Sequence, residues 1–171
     1  MKLETKKNDK YTASRMELAI SDYFGVRQNV VVPNVSWGLP GLNHEADLLV
    51  LRDSGWAEEI EIKVSASDIV KDKSKHNGMG HVSSCLIHKL WFAVPMHLSS
   101  HIDIPDRAGI LGVVYDMIRG KDVVVCVRGP KITPGSRKLK QVEILKVLRL
   151  SNMRVWSLKR KLYKFNKDKH V

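Results

Sequence analysis

The sequence predicts an α/β domain in which a mixed sheet is flanked by helices. Three observations predict it. Short runs rich in Val, Ile and Leu recur between turn residues, as strands do. Stretches with apolar residues at helical spacing stand before, among and after those runs. One run, Gly109–Tyr115, is nearly all apolar and fits a central strand buried on both faces. The order read along the chain is α-β-β-β-α-β-(α)-β-β-α, the pattern of helices packed on a sheet.

Thr12 or Ser14 can cap a first helix, with Met16, Leu18, Ala19, Ile20 and Tyr23 on its buried side and Gly25 as its stop. Asn29–Val35 reads as a strand. Turn-rich residues from Trp37 to Gly41 lead to the next strand, Glu45–Leu51. Asp53-Ser54-Gly55 makes a hairpin connection to a third strand, Trp56–Val64. Ser65–Lys75 predicts a helix with Ser65 or Ser67 near its N-cap. Leu90–Val94 is a strand closed by Pro95, and a short helix or turn lies around Leu98–Ile102. After Gly109–Tyr115, Val123–Val127 is the last strand. Gly129–Gly135, with two prolines and two glycines, reads as a linker or exposed loop. Two helices are expected beyond it, Lys138–Leu148 and Ser151 to about Tyr163, the second burying Met153, Trp156 and Leu162. The division implied is an α/β domain over 1–128 and a basic C-terminal linker and helices over 129–171, packed on it or extending from it.

No apolar run approaches the roughly 18 residues that span a bilayer, and the charged start from Met1 to Lys10 has no apolar segment after it. A cytoplasmic protein with no membrane partner is therefore expected. Two cysteines, Cys85 and Cys126, are too few for a disulfide scaffold, and Cys85 is expected to be a small core residue.

The chemistry is concentrated in the second and third strands. Asp47 interrupts an otherwise apolar run. In Glu58-Glu59-Ile60-Glu61-Ile62-Lys63-Val64, alternation places Ile60, Ile62 and Val64 on the core face and Glu59, Glu61 and Lys63 on the other. A hairpin through Asp53–Gly55 would bring Asp47 and Glu61 into one cleft. Two carboxylates side by side repel, and a hard divalent cation converts that repulsion into a binding site. A lysine one pleat further along can then orient a water or stabilise an anionic phosphate, which suits phosphodiester hydrolysis.

Asp47 followed by Glu61-Ile62-Lys63 resembles the signature of the PD-(D/E)xK, or restriction-endonuclease-like, nuclease superfamily, whose α-β-β-β-α-β core matches the order read from Thr12 to Val94. Ala46 stands where the motif has its nominal proline. The segments Glu61–Asp68 with Lys71-Asp72-Lys73, Leu90–Pro95 and Ala108–Leu111 are similar to the MmcB-like DNA-repair nucleases and related phage-encoded proteins. The resemblance implies a divalent-metal-dependent deoxyribonuclease in phage or bacterial DNA processing or repair. It implies Asp47, Glu61, Lys63 and the first-helix acid Glu17 as catalytic residues. Mg²⁺ or Mn²⁺ would be held by Asp47, Glu61 and the Ile62 backbone carbonyl. Lys71, on the helix after the catalytic strand, would face a phosphate. The alternative is a non-catalytic nucleic-acid-binding protein on a nuclease fold.

His76, His81, Cys85 and His88 fall within thirteen residues, but their spacing matches no zinc pattern, and no zinc is expected. The segment His76–His81, with Gly78 and Gly80, is read as a loop over the cleft. The net charge is +11, and all of the excess lies in the last 44 residues, with fourteen Lys/Arg against Glu143 and Asp168. A basic segment on a near-neutral body favours a polyanion. Arg137, Lys138, Arg149, Arg154, Lys159, Arg160 and Lys161 are the expected nucleic-acid contacts. DNA, double-stranded or branched, is the expected partner, and a homodimer is allowed.

Overall fold

The structure of the protein, a computed structural model, describes residues 10–35, 39, 42, 44–68, 85–100 and 102–168. Helix α1 (Ala13–Phe24) begins where the Thr12 hydroxyl accepts the Arg15 N–H, and ends at Gly25, whose φ of 72° suits a residue without a Cβ. Strands β1 (Val30–Val35), β2 (Ala46–Leu51) and β3 (Ala57–Ile62) form an antiparallel meander. The β2–β3 turn is the expected hairpin, with Gly55 at φ 85°. Strand β4 (Ile87–Pro95) runs parallel to β3, and β5 (Gly109–Asp116) parallel to β4. Strand β6 (Lys121–Arg128) returns antiparallel to β5. The six strands lie in chain order in one mixed sheet, so the α/β expectation holds.

Each face of the sheet has its own cover. On one side, Met16, Ala19, Ile20 and Phe24 of α1 pack against Leu48, Val50, Ile60, Ile62, Trp91 and Leu111. Leu18 and Tyr23, expected on that buried side, face outward, because the stripe follows 16, 19/20 and 24. Arg15 ties α1 to β6 through a two-pronged pair with Asp122 at 2.6 and 2.8 Å. On the other side, Leu49, Leu51, Val32 and Ile87 pack with Leu139, Val147 and Leu150. The β4–β5 crossover, which starts with a 3₁₀ turn at Met96–Leu98, covers that face further along with Leu98, Ile102 and Ile104.

The structure corrects further expectations. Gly129–Gly135 is an irregular and mostly exposed loop, tied to the sheet where Thr133 donates its N–H to His88, and the chain after it is held by Arg137 N–H to Cys85 and Leu139 N–H to Gly55. The two expected C-terminal helices are one, α2 (Gln141–Asp168), 28 residues long. Ser151 and Asn152 resemble a helix start in the sequence, yet they continue the helix. Met153, Trp156 and Leu162 are 50–53% exposed rather than buried, because among the described residues α2 packs no apolar side chain against the sheet beyond Leu150. Cys85 is exposed, not core. Among the described residues, no helix is long and apolar enough to cross a membrane.

The start of α2 is held by one buried carboxylate. Glu143 takes both prongs of Arg137 at 2.7 and 2.8 Å and the Lys140 N–H at 2.7 Å, which pulls its pKa down to about 2. An acid in a first helical turn is also favoured by the helix dipole. A carboxyl whose folded pKa is depressed stabilises the fold above its ordinary pKa, and that stabilisation is lost as pH falls toward 2. Glu143→Gln should therefore lower the melting temperature at pH 7 by about 2–4 °C. The gap to wild type should narrow between about pH 4.5 and 3. Thermal melts that show a constant gap over this range would assign the contact to shape rather than charge.

Candidate active site

The β2–β3 ladder runs from Leu51↔Ala57 to Leu48↔Ile60 and stops there. At the next position the Asp47 carboxylate, not a backbone carbonyl, accepts the Ile62 N–H at 2.7 Å. Register then sets Glu61 across from Asp47. The two acids are close enough that Asp47 raises the Glu61 pKa. Lys63 places its Nζ 3.2 Å from Glu61 Oε2, and both side chains are largely buried. The lysine is positioned by its own backbone, which donates to the Ala93 carbonyl of β4. Asp47, Glu61 and Lys63 thus come together as the sequence predicted.

Burial, and then Asp47, push Glu61 up to about 7 despite Lys63. Removing a carboxylate from water disfavours its charged form, and a second carboxylate adds to the effect. Glu17, half-buried on α1, is shifted upward by burial first and then by Asp47. Its electrostatic partner in the site is thus Asp47. Ile62 lies at the end of β3 beside these acids, so its carbonyl belongs to the same strand end.

Two acids of β3 carry functions that sequence reasoning missed. Glu58 sits on the α1 face, buried, where Arg52 Nε donates to it at 2.8 Å and Trp91 Nε1 at 2.7 Å. Its role is structural. Glu59, on the Glu61 face, pairs with the His44 ring through Nε2. That hydrogen bond raises the His44 pKa, while burial opposes the rise. His44 stands in irregular chain before β2, where no periodicity marks it.

The basic residues divide. Arg137 pairs with Glu143 and donates to the Lys138 carbonyl, and Arg154 donates to the Asn34 carbonyl, so both anchor α2. Lys138, Arg149, Arg160 and Lys161 are exposed. Lys159 lies 5.2 Å from the centre of the Trp156 ring. Asn34 falls between the partners of Leu48 and Ala46, hence opposite Asp47. The Arg154 anchor therefore brings α2 past the end of the sheet that carries the acids. Lys71, the rest of the helix expected over Ser65–Lys75, and the loop His76–His81 lie outside the described residues. The start of that helix is seen: Ser65 Oγ meets the Asp68 N–H at 3.3 Å, and residues 66–68 are helical. His88 stacks on Trp56 at 3.8 Å and bonds Ser136.

No family model and no curated protein matches the chain. Among solved structures it is similar to SPO1766, a protein of unknown function from Silicibacter pomeroyi. The TM-score is 0.58 at 17% identity, with 91% of this chain and 93% of that one covered. The likeness is one of fold.

The raised Glu61 pKa has a measurable consequence. Between about pH 4.5 and 7 the folded protein holds a proton that the unfolded chain has released, so this group's contribution to stability declines as pH rises through that window. In EDTA, Glu61→Gln should gain on wild type from pH 5 to pH 8, by about 2–4 °C in melting temperature. A gap of the same size at both pH values would mean that Glu61 titrates as an ordinary carboxyl.

Proposed function

We propose that the protein is a divalent-metal-dependent nuclease that hydrolyses phosphodiester bonds of DNA, on a PD-(D/E)xK core. The observation that carries this reading is the meeting of Asp47 and Glu61 beyond the last β2–β3 rung, with Lys63 Nζ 3.2 Å from Glu61. The donor set fits a hard cation: carboxylate oxygens from neighbouring strands, with the Ile62 carbonyl as a third oxygen. Burial first, and then the charge of Asp47, raise the Glu61 pKa, and a bound cation would favour the ionised form against both. The six-stranded sheet, with its parallel step after the meander, is compatible with this core.

When bound, Mg²⁺ or Mn²⁺ supplies Lewis-acid polarisation of the phosphodiester and a lowered pKa for water. Asp47 is oriented for the role of ligand by the Ile62 N–H, which fixes one of its oxygens. Glu61 is the second ligand. Lys63 holds a positive charge beside both, where it stabilises the negative charge that develops on phosphate oxygens. Glu17, beside Asp47, is placed to order water at the site. Lys159, Arg160 and Lys161, on the part of α2 beyond its Arg154 anchor, supply affinity through backbone phosphates without sequence preference.

Asp47→Ala and Glu61→Ala should each abolish Mg²⁺- or Mn²⁺-dependent cleavage of plasmid and oligonucleotide substrates with circular dichroism unchanged. Lys63→Ala should slow turnover roughly 10²–10³-fold, the scale for removal of one group that stabilises transition-state charge, while Mn²⁺ binding stays near normal. Cleavage that survives EDTA or either carboxylate variant would sink the assignment. Salt-dependent DNA binding with no cleavage under any metal would favour the non-catalytic reading.

Charge reversal at Lys159, Arg160 and Lys161 leaves both α2 anchors intact. It should flatten the plot of log K against log salt by about 0.9 for each duplex DNA phosphate that these cations neutralise in the wild type. An unchanged slope and affinity would place these residues away from the nucleic acid.

A further inference from the structure

Glu59 is costly where it stands. It is 3% exposed, and its register neighbours are Leu49 on β2 and Leu90 on β4, both buried. An apolar residue would fill this place without the penalty of a buried charge. The carboxylate is met from outside β3: His44, from the chain before β2, turns its Nε2 onto Glu59 Oε1. Glu59 and Glu61 are two residues apart on one strand and therefore share a face. One ligand atom from each of His44, Glu59 and Glu61 lies within 4.8 Å of the others. Ligands bound at about 2.1 Å to one ion stand about 3.0–3.4 Å from one another at octahedral or tetrahedral angles, so the wider pairs would draw in by up to about 1.5 Å and the His44–Glu59 pair would open to admit a cation.

The composition of this trio sets its preference. Mg²⁺ and Ca²⁺ take oxygen ligands, whereas an imidazole nitrogen favours first-row transition ions. Asp47 and Glu61 offer oxygen alone. Glu61 has two carboxylate oxygens and belongs to both groups, so it can bridge.

We propose that His44, Glu59 and Glu61 form a second divalent-cation position that selects a transition-metal ion over Mg²⁺ and shares Glu61 with the Asp47 position. The proposal deepens the nuclease reading through the shared Glu61, but the ion would bind whether or not DNA is cut. His44 is the selective element: its side chain is 37% exposed at the mouth of the site, while that of Glu59 is 5% exposed beneath it. The ion would offset the buried charge of Glu59 that His44 meets in the metal-free protein.

The test is Mn²⁺ binding to the full chain, stripped of metal, followed by calorimetry and by pulsed electron paramagnetic resonance. Wild type should bind two equivalents, one of them with ¹⁴N modulation from a coordinated imidazole. His44→Ala, His44→Asn and Glu59→Gln should each lose one equivalent together with the nitrogen signal. Asp47→Ala should lose the other equivalent and keep the nitrogen signal. Excess Mg²⁺ should displace only the ion without nitrogen modulation. Circular dichroism identifies any variant that fails to fold, and the three substitutions at two positions keep the result independent of any one of them. The proposal is overturned if wild type binds a single equivalent. It is equally overturned if the folded His44 and Glu59 variants bind as wild type does, which would leave His44 and Glu59 as an ion pair that closes a buried acid. Two equivalents with the expected variant pattern and no cleavage would uphold this site while removing the nuclease reading.

Discussion

The arrangement of the site depends on one hydrogen bond, from the Ile62 N–H to the Asp47 carboxylate. In a regular antiparallel ladder that N–H would go to a backbone carbonyl of the neighbouring strand. Here the ladder ends at Leu48↔Ile60, two residues before Ile62, and a side chain takes over the acceptor role. The substitution satisfies a backbone donor that burial would otherwise leave orphaned. It also holds the carboxylate at the end of the sheet, across from Glu61. From that placement Asp47 adds to the upward shift that burial gives both Glu61 and Glu17.

Strand β3 shows how environment divides one residue type into different roles. Glu58, Glu59 and Glu61 are all buried or nearly so, and their partners differ. Glu58 receives Arg52 and the Trp91 indole, so its charge is offset by the fold itself. The Trp91 ring is held flat by Gly109 on β5, where a Cβ would stand 2.4 Å from a ring carbon. Glu59 and Glu61 face the other way, where one histidine and one lysine meet them together with Asp47. Satisfied charge marks the structural acid; the excess of acids over cations marks the face that can take a metal ion.

What was legible in the sequence was what has a short repeat or a local turn. Alternation along Glu58–Val64 placed Ile60 and Ile62 in the core, and the glycine turn at Gly55 set the register that joins Asp47 to Glu61. Thr12 and Gly25 bounded the first helix by their side-chain chemistry. The parts that were not legible depend on distant partners. Glu58 reads as one more exposed acid until Trp91, 33 residues away, arrives from β4. His44 has no pattern around it. Arg137 and Arg154 look like any other cations in a basic tail, and only the fold shows Glu143 and Asn34 beside them. The break expected near Ser151 failed for a related reason: cap-forming residues are tolerated within a helix when their side chains need not compete for its backbone.

The last helix links the charge asymmetry of the chain to its site. Its first turns are bound to the sheet through Val147 and Leu150, and its start through Glu143. Arg154 then fastens it to β1 at Asn34, across from Asp47. Past this point the helix carries Lys159, Arg160 and Lys161 away from the sheet, along with the exposed Val155, Leu158, Leu162 and Phe165. Such a helix gains little from packing over its second half, and isolated helices of that length are marginal in water. Its continuity is therefore supported by the anchored first half, which removes the cost of nucleation. The same anchors fix where the cations begin. The Arg154 contact thus sets the basic half of the helix to begin beside the sheet end that holds Asp47 and Glu61, though the two are about a hundred residues apart in the chain.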